Sequence, residues 1–267
     1  MSPAMNDPRY VRSAIAADGV ATLTLDRADV HNAFDDVLIA ELTAALRHLD
    51  ADAKVRVVVL AANGKSFSAG ADLQWMKRMS TYSEAENLRD ALHLAELMHV
   101  LDRMHKPTIA RVQGAAFGGG VGLVACCDMA VAAPGAVFCL SEVRLGLIPA
   151  VISPYVVRAM GQRAARRYFL TAERFPAAEA LRLGLLSDVV DAGELDAAVA
   201  TLAGHLLKGG PHAIAASKDL IAAVSDRPVD TAVMEDTARR IAHTRAGAEG
   251  REGVAAFLEK RAADWIA

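Results

Sequence analysis

The chain has 267 residues, of which 53% are hydrophobic and only 5% aromatic. That composition asks for a core of Ala, Val, Leu and Ile, and suits helices packed on sheets better than an aromatic-rich sandwich. A formal net charge of −3 excludes a chain-wide attraction to nucleic acid or an acidic membrane, so any anion site must be local.

The opening "MSPAMNDPRYVRSAIAADG" contains no continuous apolar leader core, and no later stretch reaches a membrane-spanning length without polar interruption. A cytoplasmic protein with no membrane or nucleic-acid partner is expected. "VATLTLDR" (20–27) alternates and is rich in β-branched residues, whereas "VRVVVLAA" (55–62) is a continuous apolar run of strand length. "PTIARVQG" (107–114) and "DMAVAAP" (128–134) are similar, giving four predicted strands. Between them, "DDVLIAELTAALRHLDAD" carries an apolar helical face at Val37, Leu38, Leu42, Ala45, Leu46 and Leu49, and a second helical period runs from Glu84 to Met104. Strands alternating with helices predict a parallel α/β core buried on both faces. From Ser153 onward the pattern is helical, punctuated by Gly161, Pro176, Gly184 and Pro211. Cys126, Cys127 and Cys139 show no metal-ligand spacing to histidines and read as buried free thiols in a reducing compartment, so no metal site is expected.

Three stretches carry chemistry. In "GAAFGGGVGLVACCD" (114–128), Gly118, Gly119, Gly120 and Gly122 stand where an apolar helix begins. A glycine-rich strand-to-helix junction lets the backbone approach a ligand and leaves N–H groups free at the helix start, a place for an anion or a developing oxyanion. The same glycines also suit plain close packing of helix on strand. The spacing matches neither a dinucleotide-binding nor a P-loop pattern. In "NGKSFSAGADLQWM" (63–76), small residues Ser68 to Ala71 follow a buried strand, and Asp72 is placed to cap a new helix. In "FCLSEVRLGLIPA" (138–150), Glu142 follows an apolar run. It is either a desolvated acid/base or a surface carboxylate paired with Arg144.

In combination these stretches resemble the crotonase, or enoyl-CoA hydratase/isomerase, superfamily from about Val20 to the C-terminus. The resemblance implies an α/β spiral of repeated ββα units over residues 1–195, holding the acyl-CoA site, and a helical oligomerisation region over 196–267 that builds a homotrimer or a dimer of trimers. It implies that a thioester oxygen lies between the backbone N–H groups of Ala71 and Gly119, with Glu142 as acid/base. His31 and Ala33 in "HNAF", together with Ala69, Gly70, Asp72 and Leu73, are implied around the coenzyme A portion of the substrate, and Gly118 and Gly122 are implied as further substrate-binding residues beside the thioester. Phe257 and Lys260, in "F-x-E-K-R", resemble the part that closes over it, although a solvated helix face also explains Lys260. No separate cofactor is implied, since coenzyme A belongs to the substrate.

The sequence departs from the family pattern at one point. Typical hydratases of the family carry a first glutamate two residues after the triple glycine, and here that position is Gly122. Hydration of a conjugated 2-enoyl thioester then rests on Glu142 alone, whereas moving a double bond in a 3-enoyl thioester needs only one base. Hydratase, Δ3-Δ2 isomerase and non-catalytic acyl-CoA binder are thus the three readings, with hydration leading. The stretches 138–161 and 115–128 together are similar to a bacterial-type subgroup associated with methylglutaconyl-CoA or isohexenylglutaconyl-CoA hydration, in leucine and terpenoid breakdown. Arg144 or His31 would there meet a distal carboxylate, while a structural ion pair with an acid is the other expectation for Arg144. Asp72 and Asp128 read as capping and packing residues.

Overall fold

The computed structural model describes residues 9–266; the first eight residues of the N-terminal stretch and Ala267 lie outside the described residues. The four predicted strands form and lie next to one another. The larger sheet runs β1 (Val11–Ile15), β2 (Val20–Leu25), β3 (Val57–Ala62), β5 (Thr108–Val112), β7 (Met129–Ala132), β10 (Asp188–Val189) in spatial order. Only the β1–β2 pair is antiparallel. A smaller sheet is built from short strands in the order β4 (Ser66–Ser68), β6 (Ala115–Phe117), β8 (Val137–Cys139), β9 (Phe175–Pro176).

The alternation explains the shape. The chain makes a long strand in the larger sheet and then a short strand in the smaller one, as β3 then β4, β5 then β6, and β7 then β8. Each pair is followed by a helical segment: α2 (Leu73–Met79) and α3 (Glu84–Asp102), then α4 (Gly119–Cys126), then a 3-10 turn Glu142–Leu145 and α5 (Ser153–Thr171). Successive turns stack in parallel register, which is the spiral of ββα units that the sequence resemblance implies.

The continuous apolar run of β3 has its physical reason in two cores. Val58 and Leu60 pack into the main core with Leu38, Leu42 and Leu46 of α1 (Asp36–Ala51), while Val57 and Val59 point the other way, to Leu195, Val199 and Ala203 of α7 (Leu195–Leu207). Alternate side chains of one strand thereby bury both faces. α6 (Ala177–Arg182) precedes β10. The helix α1 starts on Asp35, whose carboxylate accepts from Leu38 N, and α3 starts with a reciprocal Ser83/Glu86 capping box. Val37, assigned above to the apolar face of α1, is instead 40% exposed.

Beyond α7 come α8 (Pro211–Val224), α9 (Thr231–Ala246) and α10 (Ala248–Glu259). Arg56, just before β3, donates to Trp265 O at 3.1 Å and Gly209 O at 2.8 Å, tying the tail to the N-terminal edge of the larger sheet. All three cysteines are free, as expected. Burial raises each thiol's pKa, that of Cys127 to about 12, so they remain protonated apolar side chains. Among the described residues no helix is long and apolar enough to cross a membrane.

Candidate active site

Three neighbouring parallel strands of the smaller sheet each end at one part of the predicted site. β4 runs into Ala69, Gly70 and Ala71, β6 into Gly118 and Gly119, and β8 into Glu142. Ala71 forms a single parallel bridge with Phe34, in which Phe34 N donates to Gly70 O at 2.6 Å and Asp72 N donates to Phe34 O at 2.8 Å. The bonds of residues 70 and 72 therefore face Phe34, and the intervening N–H of Ala71 has no acceptor among the described residues. Gly119 opens α4, where the first N–H groups have no intrahelical acceptor, and its own N–H is likewise unpaired.

The glycine cluster is explained by what surrounds it. Gly118 sits at φ 49°, ψ −117°, a conformation closed to residues with a Cβ, and its N–H donates to Cys139 O at 2.9 Å. A Cβ on Gly118 would lie 3.0 Å from Glu142 Oε1, so the carboxylate stands directly over the junction. A Cβ on Gly120 would come within 2.9 Å of both Ser68 Cβ and Ser68 O, so this glycine brings α4 against the strand that leads to Ala71. Close packing and the exposed amides are thus the same feature.

Glu142 is partly buried, and its Oε2 is fully shielded without a hydrogen-bond partner. Desolvation raises its pKa above the ordinary 4.5, opposed only by its own backbone N–H. It makes no ion pair with Arg144, which corrects the surface-pair reading. Arg144 itself is exposed and has no carboxylate within 4 Å among the described residues, so the structural ion pair expected for it is not formed.

Gly122 is a second correction. It is buried, and a Cβ there would lie 2.3 Å from Ile152 Cγ2 and 3.2 Å from Met98 Cε. The residue lines a packed wall rather than an open substrate surface, and the volume beside it belongs to Ile152. Gly122→Ala should consequently lower stability by about 1–3 kcal/mol through overpacking. Adding Ile152→Ala should recover part of that loss, which urea unfolding of the two single variants and the double variant would show as non-additivity.

Other expected residues fall as follows. His31 is exposed, in left-handed backbone, with Nδ1 at 3.1 Å from Ser66 Oγ, and its carbonyl accepts from Ala69 N at 2.9 Å. Ala33 is buried beside it, and Leu73 is 80% exposed at the start of α2. Asp72 spends its carboxylate internally. Burial would raise its pKa, yet the N–H groups of Trp75 and Gln74 and the Arg27 guanidinium outweigh this and leave it lowered. It caps α2, as expected, and has no oxygen turned to a ligand. Asp128 accepts from Thr108 N and Oγ1 and pairs with Lys218, again a packing role. Phe257 (82% exposed) and Lys260 lie at the end of α10, which packs on α8 and α9; within one chain they do not join the site residues.

Two residues escaped sequence reasoning. Asn32 is fully buried in left-handed backbone; its Nδ2 donates to Asn63 O and Ser66 O and its Oδ1 accepts from Arg27 N, so it pins the 31–34 segment to the start of β4. The tolerance of asparagine for that conformation was the available signal. Arg27 bridges Asp35 at 3.1 Å and Asp72 at 3.0 Å, fixing the two helix starts that flank Ala71. No local sequence pattern announces that bridge.

The family profile described as enoyl-CoA hydratase/isomerase matches residues 16–267. A crystal structure of an enoyl-CoA hydratase from Shewanella pealeana is 50% identical, with a TM-score of 0.94 over 97% of this chain and 96% of that one. AtuE of Pseudomonas aeruginosa is 35% identical with a TM-score of 0.92, over 97% of this chain and 100% of its own. A crotonyl-CoA hydratase from Syntrophomonas wolfei is 34% identical over 250 residues, 92% of this chain and 94% of that protein.

Proposed function

Because the chain belongs to the enoyl-CoA hydratase/isomerase family, we propose that it hydrates a 2-enoyl-CoA thioester with Glu142 as its one acid/base. The observation that carries this reading is the shielded, unpartnered Oε2 of Glu142, whose other oxygen stands over the junction that exposes the Gly119 N–H. Glu142 takes a proton from water as the water oxygen bonds to C3, and the C2–C3 π pair moves through C2 toward the thioester oxygen. The N–H groups of Ala71 and Gly119 stabilise the resulting enolate, as fixed donors do for any developing oxyanion. Glu142 then returns its proton to C2, and one water has been added.

Isomerisation of a 3-enoyl-CoA is the second reading, favoured by Gly122, where Ile152 and Met98 fill the space and the chain provides no second carboxylate. There Glu142 removes a proton from C2 and delivers one to C4. For the acyl group, the unpaired Arg144 supports a substrate with a distal carboxylate, of the 3-methylglutaconyl type. The exposed apolar side chains Val254, Phe257 and Leu258 of α10 support a homotrimer, or paired trimers, in which this helix meets a neighbouring copy. The natural setting is then the cytoplasm, with no cofactor beyond the substrate's own coenzyme A.

Mass and absorbance assays on crotonyl-CoA, 3-methylglutaconyl-CoA and a 3-enoyl-CoA test the assignment. The expected result is a gain of one water on a 2-enoyl thioester; conjugation of the 3-enoyl substrate without mass gain establishes the isomerase. Binding without turnover of any of the three would support the non-catalytic binder. Arg144→Ala should reduce the preference for the carboxylated substrate, and an unchanged preference removes Arg144 from recognition.

A further inference from the structure

Away from Glu142, α5 and α6 line a half-open cavity of about 690 Å³ whose rim carries the exposed side chains Arg163, Arg166, Arg167 and Arg182. That volume lies within the range of sites that hold small molecules, about 300–1,000 Å³. Arg167 is paired with Glu173, and Arg182 with Glu179. Arg163 and Arg166 have no carboxylate within 4 Å among the described residues, so the four guanidiniums exceed the local carboxylates by two.

This placement is unfavourable for the fold alone. Arg163, Arg166 and Arg167 lie three and four residues apart on one helix face, where like charges repel. The helix is also broken at Gly161 (φ 76°, ψ 157°) and starts again beyond it, so Arg163 stands in a first turn, where the backbone dipole already favours negative charge. The same lining includes the apolar side chains Met160 and Ala164, on the helix that carries three of the arginines, and Leu183 at the end of α6, and the Arg167 guanidinium lies 5.1 Å from the centre of the Tyr168 ring. Guanidinium forks match phosphate oxygens, and an apolar wall beside them matches a flat base.

We propose that this cavity binds a phosphate-bearing nucleotide, with Arg163 and Arg166 on its phosphates and the base against Met160 and Leu183. The ligand is either a free nucleotide or the phosphorylated adenosine end of a second coenzyme A molecule. Titration calorimetry of the whole protein at fixed ionic strength, with ADP, inorganic phosphate and coenzyme A as probes, separates these sources. Arg163→Ala/Arg166→Ala should weaken ADP binding at least tenfold while leaving 2-enoyl-CoA turnover unchanged, and the corresponding double Lys variant should fall between. If coenzyme A is the ligand, the wild-type chain takes up two molecules and the double Ala variant one. Equal ADP affinity in wild type and variant overturns the proposal. So does a change in oligomeric mass with ADP affinity intact, which would assign this face to contacts between copies, and inorganic phosphate binding as tightly as ADP would overturn the nucleotide.

Discussion

Replacing Glu142 by Gln should reduce turnover of the 2-enoyl-CoA by about a thousandfold or more, since positioned general acid–base groups supply about 10²–10⁴ and here one group serves both steps. Substrate binding should change little, because the Ala71 and Gly119 amides are untouched. The pH dependence gives a second readout. Burial lifts the Glu142 carboxyl above its ordinary 4.5, so wild-type activity should fall in acid at a higher pH than an exposed glutamate would give. Stability should move the opposite way. Above the raised pKa the folded protein carries a desolvated, unpartnered charge, whereas below 4.5 the group is protonated folded and unfolded alike. Glu142→Gln should therefore stabilise the protein by about 1 kcal/mol at neutral pH, with the advantage vanishing in acid. Thermal unfolding at pH 8 and pH 4 checks the sign; equal shifts at both would rule out the desolvated carboxylate.

Arg27→Met should strongly destabilise the fold. The guanidinium bridges Asp35 and Asp72, donates to Ala33 O at 2.9 Å and lies 4.5 Å from the centre of the Tyr10 ring. The three charged side chains are only 8–12% exposed. Removing the cation leaves two shielded carboxylates facing each other, a loss of about 3–5 kcal/mol for a broken buried pair. Because the Asp72 pKa is lowered from 3.8, its contribution is complete above that value and is lost as the pH falls through the lower folded value. The deficit of the variant, followed by urea unfolding, should thus be full at neutral pH and shrink in strong acid. A deficit below 1 kcal/mol at pH 7 would show that water reaches the pair freely.

The long strands were legible because β2, β3, β5 and β7 are bounded runs of apolar and β-branched residues, with alternation marking β2 and strand length marking the continuous runs. The short strands were not. "SFS", "AAF" and "VFC" are each three residues, too brief to show a period, yet they carry Ala71, Gly119 and Glu142 to one place. The roles of those three residues came from the family resemblance; the glycines alone left packing and anion binding open, and the structure shows the close packing together with an unpaired Gly119 N–H. Gly122 was legible as a missing carboxylate. That Ile152, thirty residues further on, fills the space depends on how α5 returns across α4, which no local pattern encodes. Arg144 shows the converse, since the nearby acid in its sequence is not a partner in space.

The pairing of β4 with β6 sets a length scale for the chemistry. Neighbouring strands lie about 4.8 Å apart, and two nitrogens separated by that distance can both reach one oxygen at about 2.9 Å when it sits slightly above the line joining them. The separation of two amides that follow adjacent strands is therefore governed by the main-chain ladder, and side chains around them can vary without altering it. Substitutions of the side chains around the two amides should therefore leave this internal ruler the same.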